Sequence, residues 1–273
     1  MLQTLSWLPR TEGAARLSFA RRDEQTRLDV LYQAGAARVR FPRPATGAPP
    51  EAVLLNTAGG LTGGDHMSLD VTLGARAEAT LTTAAAEKIY RARDGDATIG
   101  VKLSLGAGAR LAWLPQSTIL FDGSRLDRRT DVQLAGDARF LGVEFLIFGR
   151  QAMGEDVHLG ACQDAWRIRR DGALVFADTF RVGGAIAAAL DRPATLAGAR
   201  AAAMLIYVAA DAGSRLEAVR AMLEGVESVA GASAWNGLLV VRAFALHGRT
   251  LQGDIAPIAQ ALSGRPLPRV WQC

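Results

Sequence analysis

From residue 26 to about Val182 the chain alternates apolar and polar residues with a period of two, in short segments. This pattern commits that part of the molecule to strands, because only a strand sends successive side chains to opposite faces. Strand-like segments occupy residues 26–32, 37–41, 52–55, 67–73, 78–83, 97–105, 110–114, 117–121, 124–134 and 140–148. Residues 165–170 and 173–180 read as a hairpin around Asp171-Gly172. Residues 84–90 carry the threonine-rich segment before them onward, and are expected to be extended despite three alanines. The arginines of 124–134 suggest an exposed face. Many short strands at regular intervals are compatible with a sandwich, a barrel or a stacked β architecture, and no repeat of fixed length is visible.

Beyond Gly183 the pattern changes. Ala-rich stretches at 185–190 and 197–203 precede an apolar strand at 204–209 and a second at 238–246. Residues 215–223 form an amphipathic helix with Leu216, Val219, Met222 and Leu223 on one face, and Ser214 is placed to cap it. A second helix is expected over 252–262, starting at Gly253-Asp254 and stopping at Gly264. The chain therefore divides into a mostly β body, 1–183, and a small α/β part, 184–273, with no linker between them, so the two should pack as one unit.

Within the β body, Asn56-Thr57-Ala58-Gly59-Gly60-Leu61-Thr62-Gly63-Gly64-Asp65 joins two strands. The pairs Gly59-Gly60 and Gly63-Gly64 imply positive φ or a close backbone approach. The Lys-Ser/Thr ending of a phosphate-binding loop is missing and no helical pattern follows, so a tight connection is the plainer reading. Asp65 keeps a site there open.

The 273 residues are 49% hydrophobic but only 6% aromatic, so the core must rest on Ala, Leu and Val. The formal charge is +4, and only Lys88 and Lys102 are lysines among 31 basic residues. No basic run exceeds two residues, and nothing resembles a nucleic-acid-binding module. Cys162 and Cys273 form no disulfide framework, and His66, His158 and His247 stand at no metal-ligand spacing. Residues 1–10 lack the pattern of a signal peptide and no apolar run spans a membrane, so a cytoplasmic protein is expected.

Four acids stand singly among apolar or small neighbours: Asp65, Glu87 after three alanines, Glu144 within Leu141-Gly142-Val143-Glu144-Phe145-Leu146, and Asp178 within Val175-Phe176-Ala177-Asp178. Each alone reads as a surface or satisfied acid, since an isolated buried charge is too costly. As a set they could line a polar path for a cation, with Arg91 and Arg150 near enough in sequence to serve as partners. Arg150 and Glu155 are spaced for a structural ion pair.

The ordered set of motifs resembles the urease accessory protein family UreD, also called UreH. It comprises the run Asn56 to Asp65, Ala86-Glu87-Lys88-Ile89-Tyr90-Arg91, Trp113-Leu114-Pro115-Gln116 and Phe121-Asp122-Gly123. It continues with Phe148-Gly149-Arg150, Met153-Gly154-Glu155, Trp166-Arg167-Ile168-Arg169 and Leu267-Pro268-Arg269-Val270-Trp271. The resemblance implies a mainly β, elongated, helicoid or β-helix-like stack of short strands, with a C-terminal α/β part carrying two helices. It implies a non-enzymatic, nickel-delivering chaperone or scaffold that acts on apo-urease with UreF and the GTPase UreG, binds nickel only transiently and has no tightly bound cofactor. It also makes Asp65, Glu87, Glu144 and Asp178 candidates for the lining of an internal nickel passage. Oxygen ligands suit a conduit, whereas a thiolate- or imidazole-rich trap would hold nickel too tightly to release it. The rival reading is a β-helix or sandwich enzyme acting on a polysaccharide through an acid pair such as Glu144 and Asp178. A second rival is an assembly scaffold without a metal path.

Overall fold

The computed structural model describes residues 10–43, 48–150 and 153–272. The readings on residues 1–9 and on Cys273 lie outside these. The chain opens with a hairpin, β1 (Glu12–Arg22) and β2 (Gln25–Gly35), of which β1 escaped the sequence reading. Then β3 (Ala37–Arg40) pairs with β4 (Glu51–Asn56). From there the chain winds in coils, laying successive strands alternately into two sheets. The first coil holds β5 (His66–Leu73), β6 (Glu78–Thr83) and the short β7 (Glu87–Ile89). The second holds β8 (Ala97–Leu105), β9 (Arg110–Leu114) and β10 (Thr118–Leu120). The third holds β11 (Arg125–Leu134) and β12 (Arg139–Phe148), and a long hairpin follows, β13 (Leu159–Arg170) with β14 (Ala173–Ala185).

Equivalent strands of successive coils stack in parallel. In the first sheet β1, β5, β8, β11 and β13 run side by side, closed by antiparallel β2 and β14 at its two edges. In the second, β4, β6, β9 and β12 do the same. The coils differ in length, which hides the repeat in the sequence. Glu78 lies beside Arg110 and Arg110 beside Arg139, offsets of 32 and then 29 residues. Three sides of the coils are traced by buried apolar ladders, the narrowest being Leu61, Ile89, Leu120 and Phe148, each beside the next.

The glycine-rich run turns the chain from β4 into β5 and delivers Leu61 to that ladder. Gly60 has a φ of 153°, and a side chain there would meet the Tyr90 ring at 2.4 Å. At Gly63 a Cβ would lie 2.2 Å from the carbonyl oxygen of Asp94. Gly59 and Gly64 also carry positive φ, so the special-backbone reading of the run holds. Residues 84–86 do not continue the strand as expected: they break it, and β7 resumes at Glu87.

After β14 come α1 (Ile186–Leu190), β15 (Ala201–Val208), α2 (Leu216–Leu223), β16 (Val229–Trp235), β17 (Leu238–Ala245) and α3 (Gly248–Ser263). The three strands extend the second sheet, with β15 antiparallel to β12. Faces of α2 and α3 cover that sheet's outer side, where Leu141, Val143 and Phe145 pack with Val219, Leu251, Ile255 and Ile258. Two expectations about helix starts fail. The Ser214 hydroxyl donates to the Asp211 carbonyl inside a 3-10 turn (Gly213–Arg215) and does not cap α2. The helix expected to start at Gly253-Asp254 begins earlier, at Gly248, and the Asp254 carboxylate, inside the helix, accepts the Ser228 N–H at 2.9 Å and caps nothing in α3. Gly264 does stop it, in the left-handed conformation with φ 67°. Among the described residues no helix is long and apolar enough to cross a membrane.

Candidate functional site

The inner faces of the two sheets should meet through apolar side chains, and over most of their area they do. Along β11 the buried residues are Leu126, Arg128, Thr130, Val132 and Leu134. Arg128 is thus in phase with the core, contrary to the exposed face expected for this strand, while Arg125 and Arg129 do point outward. Register places Asp164 of β13 beside Arg128. From the opposite sheet β12 contributes Glu144. All three side chains are at least nine-tenths buried.

The Arg128 guanidinium grips Asp164 with two parallel bonds, Nε to Oδ1 at 3.0 Å and Nη2 to Oδ2 at 2.9 Å. Its Nη1 donates to Thr118 Oγ1 at 2.8 Å. Its Nη2 also lies 2.7 Å from Glu144 Oε1 as an ion pair, but that oxygen receives no well-aligned hydrogen bond. One cation therefore serves two carboxylates. Burial, reinforced by the charge of Asp164, pushes the Glu144 carboxyl up to about 8 against the pull of Arg128. Burial alone would lower Arg128; the charges of Asp164 and Glu144 outweigh it and hold the guanidinium firmly protonated. The same burial raises the nearby Cys162 thiol, which stays an inert part of the core.

Room around Glu144 comes from a gap in the neighbouring ladder. β12 is continuous, and pairs with β9 through Gly142 and with β10 from Leu146 onward. Residues 115–117 separate β9 from β10, and Pro115 has no N–H to give to a ladder. One coil earlier, residues 84–86 leave the same gap. The C-terminal segment roofs it: Trp271 Nε1 donates to the Leu114 carbonyl at 3.0 Å and Gln116 Nε2 to the Val270 carbonyl at 3.1 Å.

Two cavities flank the cluster. One of about 460 Å³ is lined by Asn56, Glu87, Gln116, Thr118, Arg128 and Glu144. The other, about 440 Å³, is lined by Glu144, Asp164, Trp166, Asp178 and Arg242. Glu144 lines both. The ionic rung also separates two apolar clusters, one around Phe140 and Trp166 and the other around Leu126, Leu146 and Phe148.

Three of the four acids singled out in the sequence are therefore brought to one polar seam. Glu87 accepts from Asn56 Nδ2 at 3.0 Å, and burial raises its pKa. Asp178 accepts from Arg242 Nη2 at 2.9 Å on the far side. Asp65 stands apart. Its carboxylate accepts the backbone N–H of Thr11 at 2.7 Å and of Thr62 at 2.8 Å, tying the glycine turn to the first strand, and it lines neither cavity. The arginines expected as partners are also used elsewhere. Arg91 pairs with Asp122, and Arg150 pairs with Glu155 at 2.7 Å while stacking over Phe121. Arg128, Asp164 and Arg242 take the places that sequence proximity assigned wrongly; strict counting in phase with Leu126 and Val132, and with Cys162 and Trp166, would have found the first two.

Among the described residues no three His, Cys, Asp or Glu side chains converge as a metal site would require. What the seam offers is two carboxylates at one point and single acids on either side. The polysaccharide-enzyme reading finds no support in this geometry, since Glu144 is engaged by Arg128 and Asp178 by Arg242.

Comparison with known proteins gives one consistent result. The family model described as UreD urease accessory protein matches residues 11–272. The chain is 51% identical over 255 residues to the urease accessory protein UreD of a Methylobacterium species, covering 90% of this chain and 89% of that one. It is 48% identical over 262 residues to the UreD protein of Xanthobacter autotrophicus, covering 96% and 90%. It is 46% identical over 262 residues to that of Azorhizobium caulinodans, covering 96% of each.

Proposed function

The chain belongs to the UreD family of urease accessory proteins, and from that premise we propose that it is a non-enzymatic scaffold which passes nickel to the urease metallocentre. Nickel is cargo here, held transiently by carboxylates. The observation that carries this reading is the position of Glu144. It lines both inter-sheet cavities, with Glu87 on the first and Asp178 on the second. Three acids distant in sequence thus stand in series across the sandwich. Oxygen ligands of this kind bind late divalent metals more weakly than imidazole or thiolate, which suits transfer. The protein works in the cytoplasm as part of a hetero-oligomer with UreF-like and GTPase UreG-like partners and apo-urease.

The test leaves the buried rung alone and neutralises the two flanking acids in a Glu87→Gln/Asp178→Asn variant. Complex assembly should stay normal while the nickel content of the matured urease and its activity fall several-fold. Normal nickel loading by a complex carrying both changes would sink the passage and leave an assembly scaffold.

A further inference from the structure

The passage, if it runs along the seam, must go through the point where Arg128 sits, and a buried cation is a strange occupant for a cation route. Its geometry explains the choice. Nη2 alone lies 2.7 Å from Glu144 Oε1 and 2.9 Å from Asp164 Oδ2, so oxygens from opposite sheets already bracket one position. A closure of less than about 1 Å at each would bring both to the 2.0–2.2 Å of a divalent-metal carboxylate bond. Thr118 Oγ1 accepts from the neighbouring Nη1 at 2.8 Å. Glu144 Oε1 has its ion pair with Arg128 alone and no well-aligned hydrogen bond to hold it.

We propose that Arg128 is a tethered competitor for the cargo ion: its guanidinium occupies the carboxylates of Glu144 and Asp164, and the ion binds at the junction only by displacing it. This rests on the conduit reading and adds to it the residue that keeps the step reversible. Without Arg128 the rung would present two buried carboxyl groups and no competing cation, and an ion that displaced the Glu144 proton would be trapped there. With it, the metal gains two oxygens only as the guanidinium loses them, and the guanidinium returns when the metal leaves. The fork of an arginine suits the role better than a lysine, because it holds both carboxylates at once and stays charged when buried.

The experiment measures nickel(II) affinity of the full-length chain by equilibrium dialysis. Arg128→Gln should bind nickel at least about tenfold more tightly than wild type, and adding Glu144→Gln should abolish the gain. Urease matured with Arg128→Gln should contain less nickel although its chaperone holds more. Arg128→Lys, which keeps the charge but loses the fork, should fall between and serves if the glutamine variant does not fold. Unchanged affinity in the folded variants overturns the proposal, as does a gain that survives Glu144→Gln. Wild-type crystals soaked in nickel decide it independently of any variant. An ion between Glu144 and Asp164 with Arg128 swung away is expected. No ion there, or an ion with the guanidinium still bridging both acids, overturns it. If the Glu87/Asp178 variant loads urease normally while Arg128→Gln still tightens binding, the conduit falls and the competitor stands. The reverse pattern removes only the competitor.

Discussion

Near Phe140 the two sheets meet through Val101, Val132 and the Trp166 ring, whose centroid is 6.4 Å from that of Phe140. Four residues further along the same strand, at Glu144, they meet through an arginine and two carboxylates. The first contact is non-directional, shared among many side chains, and tolerant of small shifts. The second depends on bonds of 2.7 to 3.0 Å made by one guanidinium. Burying three ionisable groups costs more than an apolar rung of equal volume would, since the desolvation of charges is only partly offset by their attraction. The polar rung is therefore a poor device for holding the sheets together, and its position between two cavities accounts for it better than stability does.

The largest effect expected on this comparison follows from removing one partner only. Asp164→Ala removes the two-bonded grip on Arg128 and leaves the buried guanidinium with Glu144 alone, and should cost about 3–5 kcal/mol. The concerted replacement Arg128→Met/Glu144→Leu/Asp164→Leu should do the opposite, leaving stability unchanged or raising it by about 1–4 kcal/mol, while nickel transfer is lost. Urea denaturation of both variants checks this. A triple variant as unstable as Asp164→Ala would show that the rung is structural after all.

Next in size is a pH dependence. The Glu144 carboxyl rises from an ordinary 4.5 to about 8 in the folded chain. A group raised in this way stabilises the fold below its unfolded pKa and loses that contribution as pH climbs through the folded value. Stability should decline between about pH 4.5 and 8, with a slope of at most about 1.4 kcal/mol per pH unit for one proton. The charged and titratable neighbours are Arg128, Asp164 and Cys162, and the first stays protonated throughout. Acids lowered by partners, among them Asp122, Glu155, Asp156 and Asp211, act in the other direction, and their effect is complete below this window. Glu144→Gln should remove most of the decline; Glu87 and Glu51, also raised by burial, supply the remainder. A wild-type profile flat across this range would mean that Glu144 is ionised in the fold.

Much of this is legible in the sequence, and each failure has its own physical reason. Period-two patterning finds the strands from residue 37 to 182 because their inner faces are buried in a continuous core; β2 is recognised by its β-forming residues, although at the sheet edge none of its side chains is buried. The patterning misses β1, whose inner face is Gly13, Ala15, Leu17 and Phe19, because two of these four are too small to give an apolar signal, although that strand stands inside the first sheet. Periodicity leaves the stacked-coil arrangement as one of three architectures, because coil offsets of 29 and 32 residues defeat a search for a fixed repeat, and the family resemblance singles it out. Glu87, Glu144 and Asp178 were found by their apolar surroundings. Asp65 shared those surroundings for a different reason, since a tight glycine turn also needs an acceptor for its N–H groups. Partner arginines were sought nearby in sequence, whereas stacking brings partners from one coil away: Arg128 reaches Asp164 across 36 residues and Asp178 reaches Arg242 across 64.

The smallest expected effect is the most discriminating for register. Arg128 and Arg129 are adjacent in sequence and identical in chemistry, yet β11 sends one into the seam and the other to solvent. Arg129 chelates Asp131 at 2.6 and 3.1 Å on the exposed face, two residues along its own strand. Arg129 remains largely hydrated, so the pair is screened and should contribute only about 0–1 kcal/mol. Arg129→Ala should accordingly shift the urea midpoint barely at all and leave nickel affinity and urease loading at wild-type values. Because side chains alternate strictly along a strand, a slip of one residue in β11 would exchange the two arginines and turn Leu126, Val132 and Leu134 out to water. The register beside β8 and β13 forbids this, placing Arg128 opposite Ile99 and Asp164. If Arg129→Ala instead impaired nickel handling as strongly as a change at Arg128, the assignment of the seam to the inner face of β11 would be wrong, and with it the contrast between the apolar and ionic rungs.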